Sequence, residues 1–103
     1  MQYANQYGYS DINPYEVVNT VSDRTLEIRA MQAERDDSVV LRFVPGGFAG
    51  HCENQDAQRW RISSDCNAAV IRIRKHKDGR WYDRGGCRYR IEELPKKFYD
   101  YNF

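Results

Sequence analysis

The chain is predicted to be all-β, a small rolled antiparallel sheet or SH3-like barrel of about five to six strands. Three observations predict it. Cations alternate with apolar or aromatic residues in Arg59-Trp60-Arg61-Ile62, Ile71-Arg72-Ile73-Arg74 and Arg88-Tyr89-Arg90-Ile91. A period of two gives each segment one wet face and one dry face, the signature of a half-buried strand. Short turns rich in Gly, Asp and Asn separate these runs. Eight Tyr, four Phe and two Trp provide large apolar side chains, so a small barrel can close around few of them. The 103 residues suffice for a single domain, 1–103, and are too few for two.

Residues 1–14 are polar and tyrosine-rich, with Gly8, Asn13 and Pro14 as turn formers. Tyr15 to Val21 reads as a strand. Ser22-Asp23 breaks it, and 24–30 returns with Leu26, Ile28 and Ala30 on one face and Thr25, Glu27 and Arg29 on the other. The pair makes a hairpin, and its strict alternation outweighs the helix-forming composition of 24–35. A solvated loop at 34–38 leads to a strand over 39–44, which ends at Pro45-Gly46-Gly47-Phe48-Ala49-Gly50-His51. Residues 52–58 are polar and fit a loop or one short helical turn. Strands follow at 58–63 and 69–76, with Trp60, Ile62, Ile71 and Ile73 pointing inward. Lys77-Asp78-Gly79 is a hairpin turn, because glycine tolerates a positive φ. Trp81 and Tyr82 open the returning strand, and 87–94 completes the set with Tyr89 and Ile91 inward. The ending Phe98-Tyr99-Asp100-Tyr101-Asn102-Phe103 is too aromatic for a free tail. It is expected to cover a barrel end or to pair as a final strand.

The net charge of +1 hides a division along the chain. Residues 1–54 hold four Lys/Arg against eight Asp/Glu, and 55–103 hold twelve against seven. Such polarity can steer an anionic partner to one face, or can be spent internally where the two halves pack. No apolar run approaches the length of a membrane span, and the start shows no secretory signal, so a cytoplasmic protein without membrane contact is expected. Cys52, Cys66 and Cys87 are odd in number and widely spaced, which fits reduced thiols.

Metal binding is not expected. His51-Cys52 is the one close pair of ligands, and adjacent strand residues point to opposite faces. Nucleophilic catalysis would need Cys52 or Cys87 beside His51 or His76, a geometry no motif here encodes. The chain is read as a non-enzyme without a cofactor. The loop containing Gly46, Gly47, Gly50 and His51 could form an anion-binding nest of backbone N–H groups, or simply a tight reversal carrying Phe48 to the core. It lacks the Gly-Lys-Ser/Thr ending of a phosphate loop. The leading binding candidate is a basic, partly aromatic face: Arg59, Arg61, Arg72, Arg74, Arg88 and Arg90, with Trp81, Tyr82 or Phe48 for stacking. Arginines on an exposed strand also serve the plainer purpose of solubility and protection against edge pairing.

Tyr9-Ser10-Asp11-Ile12-Asn13-Pro14-Tyr15-Glu16-Val17-Val18, Lys77-Asp78-Gly79-Arg80-Trp81 and the aromatic ending together resemble small proteins encoded by phages, prophages and plasmids. The shared pattern is a Tyr-Ser-Asp entry, a Lys-x-Gly-x-Trp hairpin and a Tyr-Asp-Tyr-x-Phe close. It covers about a third of the chain and leaves out the middle, Pro45 to Asn54. The resemblance implies a small β-barrel from a mobile element and brings no catalytic residues. By analogy, such a protein is expected to bind a host protein or nucleoprotein complex stoichiometrically and to inhibit a defence factor, in the manner of an anti-CRISPR or other anti-defence protein.

Two further functions are expected as alternatives. One is nucleic-acid binding through the arginine face. The other is a sponge for an anionic signalling nucleotide held by the glycine loop. Contact through the acidic half, with Glu34, Asp36 and Asp37 against a basic groove, is a variant of the inhibitor reading. A homodimer exchanging its aromatic termini is one admissible assembly.

Overall fold

The computed structural model describes residues 2–8, 10–36, 43–44, 51–52 and 58–99. Among the described residues ten strands run in chain order: β1 (Tyr3–Tyr7), β2 (Ile12–Ser22), β3 (Thr25–Ala30), β4 (Gln32–Arg35), β5 (Phe43–Val44), β6 (His51–Cys52), β7 (Trp60–Ser63), β8 (Val70–Lys75), β9 (Trp81–Tyr82) and β10 (Arg88–Glu92). Six of them close an antiparallel barrel in the order β1-β10-β9-β8-β3-β2. The remaining strands form two two-stranded ribbons, β4-β7 and β5-β6. Among the described residues there is no helix, hence none long and apolar enough to cross a membrane. The expected small β-barrel is therefore the fold. The supposed helical turn near 52–58 falls largely outside the described residues, and Cys52 itself belongs to β6.

The barrel is small enough for side chains to fill it. Ala4, Leu26, Ile28, Ile73 and Tyr89 are buried at its centre, with Tyr15, Val17, Ile71, Trp81 and Ile91 packed against them. Each fully buried Leu or Ile contributes roughly 1.5–3 kcal/mol by leaving water. Tyr15 meets Tyr89 edge-to-face, ring centres 5.4 Å apart. The Tyr89 hydroxyl is satisfied at the rim, donating to Asp83 Oδ2 at 2.9 Å and accepting from Gln6 Nε2 at 3.1 Å.

Strand β2 is long and has to bend to close the barrel. Its register against β3 slips between Val17 and Asn19 and again between Thr20 and Ser22. The residues passed over, Val18 and Val21, are two of the exposed large hydrophobics, at 40% and 45% exposure. An unpaired bulge residue leaves the pleat and increases the local twist, which places these valines outside. The β2–β3 ladder ends for a chemical reason. Pro14 accepts from the Met31 N–H at 3.1 Å and has no N–H to return. The chain leaves the barrel there and continues as β4.

Two expectations are corrected. The stretch expected to turn at Asn13 and Pro14 holds strand β1 and the start of β2, with both of those residues inside β2. Period-two patterning is hidden in β1 because both of its faces are covered. Ala4 is buried inside the barrel, and Asn5, pointing the other way, is equally buried under residues 93–98. Asn5 clamps that segment, donating to Glu92 Oε1 and the Leu94 carbonyl and accepting from the Lys96 N–H. Phe98 then exchanges two backbone hydrogen bonds with Ile12, so the first residue of the aromatic ending docks as an added bridge, and residues 100–103 lie outside the described residues. The second correction concerns Trp60 and Ile62, which are half-buried in the β4–β7 ribbon and take no part in the barrel core. The Trp60 indole donates to Gln58 Oε1 and lies 5.5 Å from the Lys97 ammonium.

Candidate nucleic-acid interface

The barrel wall built by β8, β9 and β10 turns its polar face outward. Ile71 and Ile73 point in from β8, so Arg72 and Arg74 point out. Tyr89 and Ile91 point in from β10, so Arg88 and Arg90 face the opposite side. Directly opposed residues of an antiparallel pair share a face. Arg74 opposes Tyr82, and Tyr82 opposes Arg88. The row continues to Thr25 of β3 on one side and to Tyr7 of β1 on the other. A belt of cation, aromatic ring and cation therefore crosses the middle of the wall. Arg90 adds a cation 5.5 Å from the Tyr7 ring centre.

The turn after β8 sets this register. Gly79 sits at φ +80°, its N–H donates to the His76 carbonyl, and the His76 N–H donates to the Arg80 carbonyl. Asp78 accepts from the Arg80 N–H and from the Tyr82 hydroxyl, each at 2.9 Å. The Arg80 N–H, and then the Tyr82 hydroxyl, hold the Asp78 carboxyl below the usual carboxylate range. Tyr82 is thereby pinned with its ring beside that of His76, centres 4.5 Å apart and planes at 50°. The next turn is organised by Asp83, whose Oδ1 accepts from the Gly85 and Cys87 N–H groups while Gly86 takes φ +90°. That turn presents Arg84.

Arg72, Arg74, His76, Tyr82 and Arg84 line an open depression of about 850 Å³, with Ile71 and Asp83 also in its lining. A second one, of about 510 Å³, lies between β9 and β10 beside Arg80, Arg88 and Arg90. Most of this charge is uncompensated. Arg72 is tied to Glu27 (Nε–Oε2 3.2 Å), and the Asn19 amide together with Arg72 keeps the Glu27 carboxyl below its ordinary range. Arg74, Arg80, Arg84, Arg88 and Arg90 form no ion pair among the described residues.

Four of the six expected arginines thus share one wall: Arg72, Arg74, Arg88 and Arg90. Arg59 and Arg61 do not join them. Strand β7 pairs with β4 instead of with β8, and Arg61 lies opposite Glu34, with 3.8 Å between their charged ends. Trp81 is corrected as well, because it opposes Tyr89 on the inner face and packs on the core. The ring that faces outward, itself half-buried, is its neighbour Tyr82. Phe48, Gly46, Gly47 and Gly50 lie outside the described residues, as does Asp37. His51 is described only as a strand residue opposite Val44.

The residues missed from sequence are His76, Arg80 and Arg84, whereas Tyr82 is among the rings expected to stack. The Lys77-Asp78-Gly79 turn carried the signal. Counting outward from it pairs His76 with Arg80 and Arg74 with Tyr82. Among the described residues no three His, Cys, Asp or Glu side chains converge as metal ligands, and Cys66 and Cys87 are free and exposed. Comparison with protein-family models, with curated proteins and with solved structures returns no match.

Proposed function

We propose that this protein is a non-enzymatic binding barrel of the cytoplasm that docks on nucleic acid through the outer wall of β8, β9 and β10. One observation carries the reading: the Arg74–Tyr82–Arg88 belt, flanked by Arg80, Arg84 and Arg90, none of these five arginines being ion-paired among the described residues. Guanidinium groups match phosphate oxygens in pairs, and an aromatic ring among them suits a base. Neutralising phosphates releases counterions, so affinity must fall with salt. Five engaged arginines correspond to a slope of roughly −3.5 to −4.5 in log K against log salt.

The test is fluorescence polarisation with labelled DNA and RNA, single- and double-stranded, across a salt series. Arg74→Glu/Arg88→Glu is expected to abolish binding or weaken it at least tenfold. Absence of binding at low salt to every nucleic acid tried would remove this function. The mobile-element reading is supported by the likeness of the two chain ends to phage and plasmid proteins. On that reading the same wall would act by covering the nucleic acid of a host defence complex, with no cofactor and in stoichiometric amounts. Pull-down from host lysate, with and without nuclease, tests it. A nucleoprotein partner lost on nuclease treatment is the expected result.

A further inference from the structure

Resting on that reading, we infer that the wall takes a single strand and holds one unstacked base against Tyr82. Four features support this. The ring is fixed before any ligand arrives, because its hydroxyl is tied to Asp78. It meets His76 at 50°, which forms an open corner instead of a closed stack. The corner belongs to the same depression as Arg72, Arg74 and Arg84. Finally, Arg74 and Arg88 flank Tyr82 on the two neighbouring strands, roughly 5 Å to either side at the spacing of a β-sheet.

A base lying on Tyr82 would therefore have a guanidinium on each side for the phosphates that precede and follow it. The strand would cross the barrel wall at a steep angle to β8 and β10. A duplex cannot use this arrangement. Its bases are stacked on one another, and a ring held in a sheet surface reaches none of their faces, so a duplex engages the arginines alone. Stacking on one ring is tolerant of base identity, since every base presents a π face. No strong sequence preference is expected.

The experiment uses the full chain and mixed-sequence oligonucleotides of about 12 nucleotides, within the range of small single-strand sites. They carry 2-aminopurine, whose fluorescence is quenched when it stacks, and binding is compared with a duplex of the same length. Wild type is expected to bind the single strand more tightly and to quench the probe. Tyr82→Leu is expected to weaken single-strand binding about tenfold and to abolish the quench, with the salt slope unchanged. Tyr82→Phe, which keeps the ring and loses only its tie to Asp78, is expected to keep the quench and most of the single-strand affinity. Equal affinity for duplex and single strand, or a Tyr82→Leu variant that still binds and quenches normally, overturns the inference. If Tyr82→Leu does not fold, the wild-type strand preference and quench decide it. Binding to the arginine wall without discrimination leaves the proposed function standing and sinks only the stacking site. Loss of all binding in wild type sinks the proposed function itself.

Discussion

The Tyr89 hydroxyl donates to Asp83 Oδ2 at 2.9 Å, linking the largest side chain of the barrel core to the carboxylate that organises the 83–87 turn. The bond connects folding to the candidate site, because the same turn presents Arg84. Burial, and then the Asp83 carboxylate, push the Tyr89 phenol well above its ordinary value of 10.0. A raised folded pKa contributes stability that is complete below the unfolded value and is lost as pH climbs beyond it. Stability is expected to hold up to about pH 9 and to decline above pH 10. Tyr89→Phe should lower stability by about 1–2 kcal/mol at neutral pH and flatten the alkaline decline, measured by urea unfolding at several pH values. An alkaline limb as steep in Tyr89→Phe as in wild type would assign the decline to other groups.

Glu16 gives the complementary acid limb. It is 8% exposed, receives two hydrogen bonds from Arg29 at 2.6 and 3.1 Å, and accepts the Ser64 hydroxyl at 2.7 Å. The Arg29 guanidinium first, and Ser64 second, hold its carboxyl below the ordinary range. A depressed folded pKa contributes stability above the unfolded value, near 4.5, that is lost as pH falls through the folded one. Glu16→Gln is expected to cost about 2 kcal/mol at pH 7, discounted for the partial exposure of Arg29. The difference from wild type should shrink below pH 4, and a gap that stays constant with pH would rule the ion pair out as its source.

Asn5, itself fully buried, binds the 93–98 segment to the barrel through two hydrogen bonds, with Leu94 and Lys96, and makes a third to Glu92 of β10. Asn5→Ala should cost about 2–3 kcal/mol, because it leaves buried partners unsatisfied. Asn5→Asp should be no better, since it sets a second carboxylate against Glu92. Hydrogen exchange should show faster exchange at the Lys96 and Phe98 amides in both variants. Unchanged protection there would mean that the Phe98–Ile12 bridge holds the segment unaided.

Gly79 and Gly86 take φ of +80° and +90°, and a Cβ at either would meet nothing within 4 Å. The cost of alanine is therefore conformational alone, about 1 kcal/mol at each site, and smaller for Asn. Thermal unfolding checks this. A loss of several kcal/mol at Gly79 would reveal packing that the geometry does not contain.

The two groups of arginines provide an internal control. Arg59→Ala/Arg61→Ala should leave nucleic-acid affinity within about twofold of wild type, whereas Arg74→Ala/Arg88→Ala should lower it and flatten the salt slope by about 1.5. Equal losses in the two double variants would move the interface off the β8–β10 wall.

The sequence by itself determined what is local. Alternation in 71–74 and 88–91 sets which side chains face out, and Asp78 with Gly79 sets a hairpin whose count places Arg74 beside Tyr82. Only the tertiary structure decided which strands are neighbours. Strand β3 pairs with β8 across the whole β4–β7 excursion, β1 closes the barrel against β10, and Arg59 and Arg61 are carried away on a ribbon of their own. The side-chain period depends on one residue and the next, and so can be read along the chain. Strand partners depend on closure, on where Pro14 ends a ladder and on how Asn5 is covered, and these are contacts between residues distant in sequence.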